Sequence, residues 1–466
     1  MWTLIVLLAL SGLQDDAVRL VEQLGSPRFN EREEATETLK RLGSTALGAL
    51  RTGAKSDDIE LRTRAIKLVT EIESRMMVEP TLVKLNYKDR SVVDVVKDLS
   101  EQANVSIALF PENAPAWAEK QVTLETAEPV PFWEAIDRLS RSVGLMVTGV
   151  NPVFQMQGNV PQLKRRAISL QMMMSNGSAP SSFSGPVRSV VSHVLHHRDR
   201  HFNQNMVPGQ GAQVAVAKAA RADDRPLGAQ AGVTTETFGV GIQMTPEPRL
   251  TMIQNGNVKV IEASDETGRS LLAPAEPGAN RFYNSGMAGN SMLQLQVSLS
   301  PPSPGAKLIK QLKLSVPLIL MSRRGEPMAI RLDQAKGQTF ENNDMAIQIH
   351  DVKLDPNQQF TVIELTAKLK KTESAGNANL APFGQEFATF RFNPSQSQSQ
   401  VEIVDAQGRQ FTNWYPATTQ PGNDGVKMEI RVPPNEGIGA PAEFRIYDLG
   451  RAELESVVEL HDIPLP

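Results

Sequence analysis

Between Leu82 and Met156 one strand-helix-strand pattern is written twice, and this doubling constrains the fold more than any other feature of the chain. Val83-Lys84-Leu85 leads into a helical run from Ser91 to Ala103 and out through Val105-Ser106-Ile107-Ala108-Leu109. The second copy opens with Val122-Thr123-Leu124, continues from Pro131 to Val143 and leaves through Leu145-Met146-Val147. In the first helical run Val92, Val93, Val96, Leu99 and Ala103 recur at spacings that place them on one stripe at ~3.6 residues per turn, and Phe132, Ile136, Leu139 and Val143 repeat the stripe. Ser91 stands as an N-cap, and Pro131 in a first turn, where its missing N–H costs nothing. Asn104 and Gly144 hold the two exits, where a left-handed backbone ends a helix. The pattern predicts a small sheet with two helices packed on one face, with Val153-Phe154-Gln155-Met156 adding a strand.

The run Val83 to Leu109 followed by Val122 to Met156 resembles the βαββαβ modules at the N-termini of secretins and TonB-dependent receptors, the short N-terminal or STN-like type. The resemblance covers about a sixth of the chain and rests on apolar spacing, with no invariant catalytic residue. It implies a module over 80–158 that contacts another envelope protein. A small sheet has open edges that accept a further strand by main-chain hydrogen bonding. The sequence departs from the resemblance in that no β-barrel or secretin ring domain follows, and a folded spacer is the alternative reading.

Residues 1–14 read as a signal peptide. Leu4 to Leu10 is an uninterrupted apolar run, too short to cross a ~30 Å hydrocarbon core but suited to a secretory h-region, with Ala9 and Ser11 at the cleavage positions. No Lys or Arg precedes it. Residues 15–79 read as helices: Ala17, Leu20, Val21 and Leu24 mark one face, Phe29, Ala35, Leu39 and Leu42 a second, Ala46, Leu47 and Leu50 a third, and Leu61, Ala65, Leu68, Val69 and Ile72 a fourth. The run from Ser26-Pro27-Arg28-Phe29 through Leu42-Gly43, then Glu60-Leu61-Arg62-Thr63-Arg64-Ala65, resembles a HEAT-type helical pair. About one and a half repeats are present, and one pair cannot bury its apolar face alone, so this segment is expected to dock on its neighbour or on a partner.

Residues 159–185, with Lys164-Arg165-Arg166, read as a linker that holds one strand, Ala167 to Met173. Beyond it short strand patterns alternate with turn signals such as Asp265-Glu266-Thr267-Gly268, and 32 glycines and 31 prolines favour a loop-rich β half. The expected layout is a β-sandwich over 186–372 with a long insertion loop at 203–237, a shorter loop at 275–289, and a second sandwich or continuation over 373–466.

The formal charge of -4 offers no basic footprint, so nucleic acid is not expected as a partner. The absence of cysteine rules out disulfides, thiolate chemistry, cysteine-ligated zinc and iron–sulfur clusters. Four of the six histidines fall together at His193, His196, His197 and His201. On a helix His193, His197 and His201 would share a face and suit zinc, copper or nickel. Val187, Ser189, Val191, His193 and Leu195 instead alternate like a strand, in which the rings do not converge. Gly53-Ala54-Lys55-Ser56 lacks the rest of a phosphate loop, and Asp57-Asp58 and Asp265-Glu266 read as turn carboxylates.

The fold class expected is multi-domain α+β: a HEAT-like helical segment, a βαββαβ module, then mainly antiparallel β-sandwich. The functional expectation is a non-catalytic, exported recognition or scaffolding protein of the bacterial cell envelope, periplasmic or extracellular. No cofactor, catalytic residue or membrane-integral segment of the mature chain is expected. One alternative is a carbohydrate- or polymer-binding sandwich, for which only Trp414 and Tyr415 sit together as aromatics. The other is a metal-dependent enzyme using the cluster from His193 to His201.

Overall fold

The computed structural model describes residues 16–112, 114–157, 160–172, 179–201, 233–272, 281–283, 292–355, 359–370, 392, 399–422, 425–435 and 437–466. The expected leader at 1–14 and most of the expected loop at 203–237 lie outside the described residues. The fold is mixed α and β with strand dominant, about 49% against 24% helix, in several antiparallel sheets. Among the described residues no helix is long and apolar enough to cross a membrane.

Four helices come first: α1 (16–23), α2 (Phe29–Leu42), α3 (Leu47–Gly53) and α4 (Ile59–Val78), with a 3-10 turn at Gly43–Ala46. They form two hairpins offset by thirty residues, 26 to 56 and 32 to 62. Ser26 Oγ accepts from Arg28 N–H and Ser56 Oγ from Asp58 N–H, both at 3.2 Å. Arg32 and Arg62 donate back to the carbonyls of Ser26 and Ser56 at 2.8 and 2.6 Å. Ala35, Leu39, Ala65, Leu68 and Ile72 share one core, and Arg64–Glu33 at 2.8 Å and Lys40–Glu71 at 3.2 Å lace α2 to α4. Phe29, expected inside, is exposed beside the Arg32 guanidinium.

The doubled pattern follows as β1 (Leu82–Val83), β2 (Asn86–Ser91), α5 (Val92–Ala103), β3 (Ile107–Phe110), α6 (Ala116–Glu119), β4 (Gln121–Glu125), β5 (Val130–Pro131), α7 (Phe132–Val143), β6 (Leu145–Gln157) and β7 (Val160–Met172). The caps stand where the sequence placed them: Ser91 Oγ accepts from Asp94 N–H, and Asn104 and Gly144 are left-handed at φ 51° and 65°. The sheet differs from the expectation. Instead of one sheet with helices on one face, β2 pairs β4, β1 pairs β5, and β3-β7-β6 forms a separate three-stranded sheet. Helix α5 touches β2 and β3, and α7 touches β4 and β6, so the helices form a layer between sheets. Burial of Trp133 and Ala135 beyond the expected stripe provides α7 with this second apolar side. The strand expected at Ala167 to Met173 forms as the end of β7, but β7 begins already at Val160 and is the central strand of that sheet, sending Ile168 and Leu170 into the module core, so this part of 159–185 belongs to the module instead of a linker.

The β half comprises β8 (Ser181–Ser184), β9 (Val187–His201), β10 (Val233–Pro246), β11 (Thr251–Gln254), β12 (Lys259–Asp265), β13 (Arg281–Tyr283), β14 (Leu293–Leu299), β15 (Leu308–Arg331), β16 (Thr339–Glu341), β17 (Met345–Leu354), β18 (Thr361–Leu369), β19 (Val401–Asp405), β20 (Tyr415–Gly422), β21 (Gly425–Val432) and β22 (Pro441–Pro464). Arg281–Tyr283 thus places a strand within the expected loop at 275–289. The division expected at 372 is not where the cores separate. Strands β15 and β22, each of 24 residues, run antiparallel through both β units. Leu312, Leu314, Val316, Leu318, Val458, Leu460 and Ile463 line the first core, whereas Ile330, Phe444 and Ile446 line the second.

The two units follow one plan. Their five-stranded sheets have the orders β13-β14-β10-β9-β8 and β20-β21-β18-β17-β16, which match strand for strand. Each outer turn repeats bond for bond: Asp265 N–H to Arg269 C=O and Asp405 N–H to Arg409 C=O at 3.0 Å, Leu271 N–H to Ala263 C=O and Phe411 N–H to Ile403 C=O at 2.8 Å. Gly268 and Gly408 close these turns at φ 86° and 78°, which a Cβ would resist. Bulges recur at Ser192 and His350. The second unit takes its leading strand from the end of β15. The first takes the equivalent strand from the end of β22, so the C-terminal strand completes the earlier unit.

The helices are fastened to this crossing. Met77 enters the first core, over Gly450; Ser74 Oγ donates to Arg451 C=O at 3.2 Å, and Glu73 pairs with Arg324. Arg249 donates to the carbonyls of Met76 and Glu79 at 2.9 and 2.5 Å and to Glu247 at 2.7 Å. Glu247, buried, also accepts from Thr81 N–H and Oγ at 2.8 and 2.6 Å. Gly185, at φ 54°, lies where a Cβ would fall 2.5 Å from the Val78 carbonyl oxygen. Gly185→Ala is therefore expected to cost about 2 kcal/mol or more, from the left-handed backbone alone and then from separating α4 from the turn, read as a lower denaturation midpoint.

Candidate interaction site

A shallow groove of about 660 Å³ lies between α5 and β3. Val93, Val96, Lys97, Ser100, Glu101 and Asn104 form its helical wall, and Val105 to Leu109 its strand wall. The expected apolar stripe of α5 needs one correction here. The helix buries Val92, Val95, Val96, Leu99 and Ala103, while Val93 is 47% exposed at the groove. Helix α5 is held from its far side, where Tyr87 Oη donates to Asp98 Oδ2 at 2.6 Å and Gln102 reaches Asp98 at 2.8 Å. Burial and that bond to Asp98 push the Tyr87 hydroxyl well above the usual phenol range, so it remains a donor. Strand β3 pairs only with β7 among the described residues, and Ile107, Ala108 and Leu109, 5%, 4% and 7% exposed, line the floor of the groove. Phe110 is exposed at the strand end.

The sequence candidates fall elsewhere. His193, His196, His197 and His201 all lie on β9, and the helical face that would gather His193, His197 and His201 does not form. Four strand residues span ~13 Å, too far for two rings on one ion. His193 lies against Gly241 and bonds Ser192 Oγ at 3.1 Å and Gln296 Oε1 at 3.0 Å, while His196 meets Glu236 at 2.8 Å. The side chain of His201 lies outside the described residues. Among the described residues no group of three or more His, Asp or Glu is placed to hold a metal. Gly53-Ala54-Lys55-Ser56 is the turn between α3 and α4, and Asp58 caps α4 by accepting from Glu60 and Leu61 N–H. The side chains of Lys164, Arg165 and Arg166 lie outside the described residues. Trp414 is buried in the second core, leaving Tyr415 alone at the surface.

No family model, curated protein or solved structure matches the chain. The groove's geometry is therefore what distinguishes this site.

Asp265, expected as a solvated turn carboxylate, is buried, as is Asp405 at the matching position. The bond from Thr267, with those from Ser303 and the Arg269 amide, holds the Asp265 carboxyl well below the usual range. For Asp405 burial opposes the charge, but Arg409 and the amides of Gly439, Arg409 and Gln407 outweigh it and hold it similarly low. Both are turn anchors. Because the folded value lies below the unfolded ~3.9, their stabilisation is fully present above that pH and fades as pH falls toward the folded value. Asp405→Asn is expected to be less stable than the wild type at neutral pH, with the gap narrowing below about pH 4, as read by denaturation at a series of pH values. A gap independent of pH would contradict the role of the charge.

Proposed function

We propose that the protein is a non-catalytic recognition or scaffolding protein of the bacterial cell envelope, working outside the cytoplasm. The observation that carries this reading is the α5/β3 groove with its unpaired strand edge, on a module fastened to the rest of the chain through buried polar contacts. One such contact is Arg188 to Asp137 at 2.8 Å, from β9 to α7. An open edge beside an apolar wall is a recognised means of capturing a polypeptide. The likeness of 80–158 to secretin and TonB-receptor modules supports an envelope partner, and the apolar run Leu4 to Leu10 supports export. Within the same proposal the helical hairpins are HEAT-like and the two β units are tandem β-sandwiches, together forming a rigid mount for the module. The polymer-binding alternative has less support, since burial of Trp414 dismantles the aromatic pair it needed.

The test is fractionation of the native cell followed by reversible cross-linking and recovery of the full-length protein, wild type against Val93→Glu. The reading expects the protein outside the cytoplasm with one stoichiometric envelope partner, lost in the variant. A cytoplasmic protein recovered alone would overturn it.

A further inference from the structure

Resting on the recognition reading, we infer that the α5/β3 groove binds an extended segment of a partner polypeptide. The segment adds to the free edge of β3 as a fourth strand of the β3-β7-β6 sheet and packs alternate side chains on Val93, Val96 and Val105.

Main-chain bookkeeping selects this occupant. Ile168 N–H on β7 donates to Ser106 C=O at 2.9 Å, and Ile107 and Leu109 are in register with Ile168 and Leu170. In a parallel ladder this turns the main-chain groups of Ser106, Ala108 and Phe110 toward β7 and those of Ile107 and Leu109 away from it. The Ile107 N–H is met by Ser100 Oγ at 3.3 Å. That leaves the Ile107 carbonyl and both the N–H and the carbonyl of Leu109 without a partner among the described residues. An extended segment satisfies all three groups at once. A helix offers no row of main-chain donors and acceptors to match them, because its main chain is bonded internally except at its ends.

The rim adds a charge preference. Glu101 borders the groove at the last turn of α5, and the C-terminal end of α5, with its partial negative charge, opens onto the same end at Asn104. The fitting segment therefore has apolar residues at alternate positions and a basic residue at the end that meets Glu101.

The test selects phage-displayed ten-residue peptides on the full-length protein, with counter-selection on Val93→Glu, a surface change checked for an unaltered melting temperature. Enriched peptides are synthesised with N-methyl groups on one or the other set of alternate residues. The expected result has three parts. Peptides are enriched in alternating apolar residues and bind Val93→Glu at least about tenfold more weakly. Methylation of one set costs about tenfold, the worth of one or two main-chain hydrogen bonds, while the other set is tolerated. The Leu109 amide exchanges more slowly in the complex. Failure to enrich any peptide, or peptides indifferent to both methylation sets that leave Leu109 exchange unchanged, would overturn the inference. If that happens while the cellular partner is still lost in Val93→Glu, recognition at the groove stands and only the strand geometry falls.

Discussion

Deletion of residues 451–466 is expected to unfold the first β unit, although most of that unit lies more than a hundred residues earlier in the chain. The end of β22 is its leading strand, and Val458, Leu460 and Ile463 are each no more than 1% exposed within its core. Losing one buried Leu or Ile side chain costs about 2–5 kcal/mol, so losing three together with a strand ladder approaches the ~5–15 kcal/mol that holds a domain folded. Hydrogen exchange locates the damage. Amides of β14 and of Leu312 to Leu320 are expected to lose protection, while β17 and β18, in the second core, keep theirs. Leu460→Ala is the milder form, with an expected loss of about 2–5 kcal/mol confined to the first unit. Equal loss of protection in both units would contradict the division of cores across β15 and β22.

Arg249→Ala should be the most damaging single change at the helix junction. It strips the carbonyls of Met76 and Glu79 of a donor and leaves the Glu247 carboxylate, whose side chain is only 2% exposed, without its cation. Breaking a fully buried pair from one side costs about 3–5 kcal/mol, and the partial exposure of Arg249, 34% against 2% for Glu247, sets the loss below that range. Adding Glu247→Gln to Arg249→Ala is expected to recover part of that loss, because the uncompensated charge is then gone. Denaturation midpoints of the two single variants and the double variant measure this coupling, and strict additivity would show that the two side chains act independently.

What the sequence made legible follows from how far each signal reaches. The helices of the module, their caps at Ser91, Asn104 and Gly144, and the hairpin turn at Asp265 were readable because each depends on residues within a few positions. The docking half of β7 was legible as the strand Ala167 to Met173, with Ile168 and Leu170 in it, but its first half was hidden by Lys164-Arg165-Arg166, which reads as a polar connection. The division of the β half was hidden because β15 and β22 each serve two cores. Gly325 and Pro327 interrupt the apolar pattern of β15, which reads as ending at Leu320, and the change at Gly450 makes β22 read as two strands, Glu443 to Asp448 and Val457 to His461. The matching Asp-x-x-Gly-Arg turns, Asp265 to Arg269 and Asp405 to Arg409, were the available clue to the repeated plan. For the groove the clue was the surplus valine of α5. Five apolar positions fill its buried stripe, and Val93 is the one left over. Which main-chain groups of β3 face outward depends on pairing with a strand some sixty residues away, and no local pattern encodes that.

The central claim is that the α5/β3 face meets another protein, and site-specific photo-cross-linking in the native cell tests it most directly. A photoreactive residue is placed at Lys97 on the groove rim in one variant, and at Lys427, exposed on β21 of the second β unit, in another. The account predicts a discrete adduct of one partner from position 97 and none from position 427. Adducts absent at 97, or equally abundant at both positions, would contradict it.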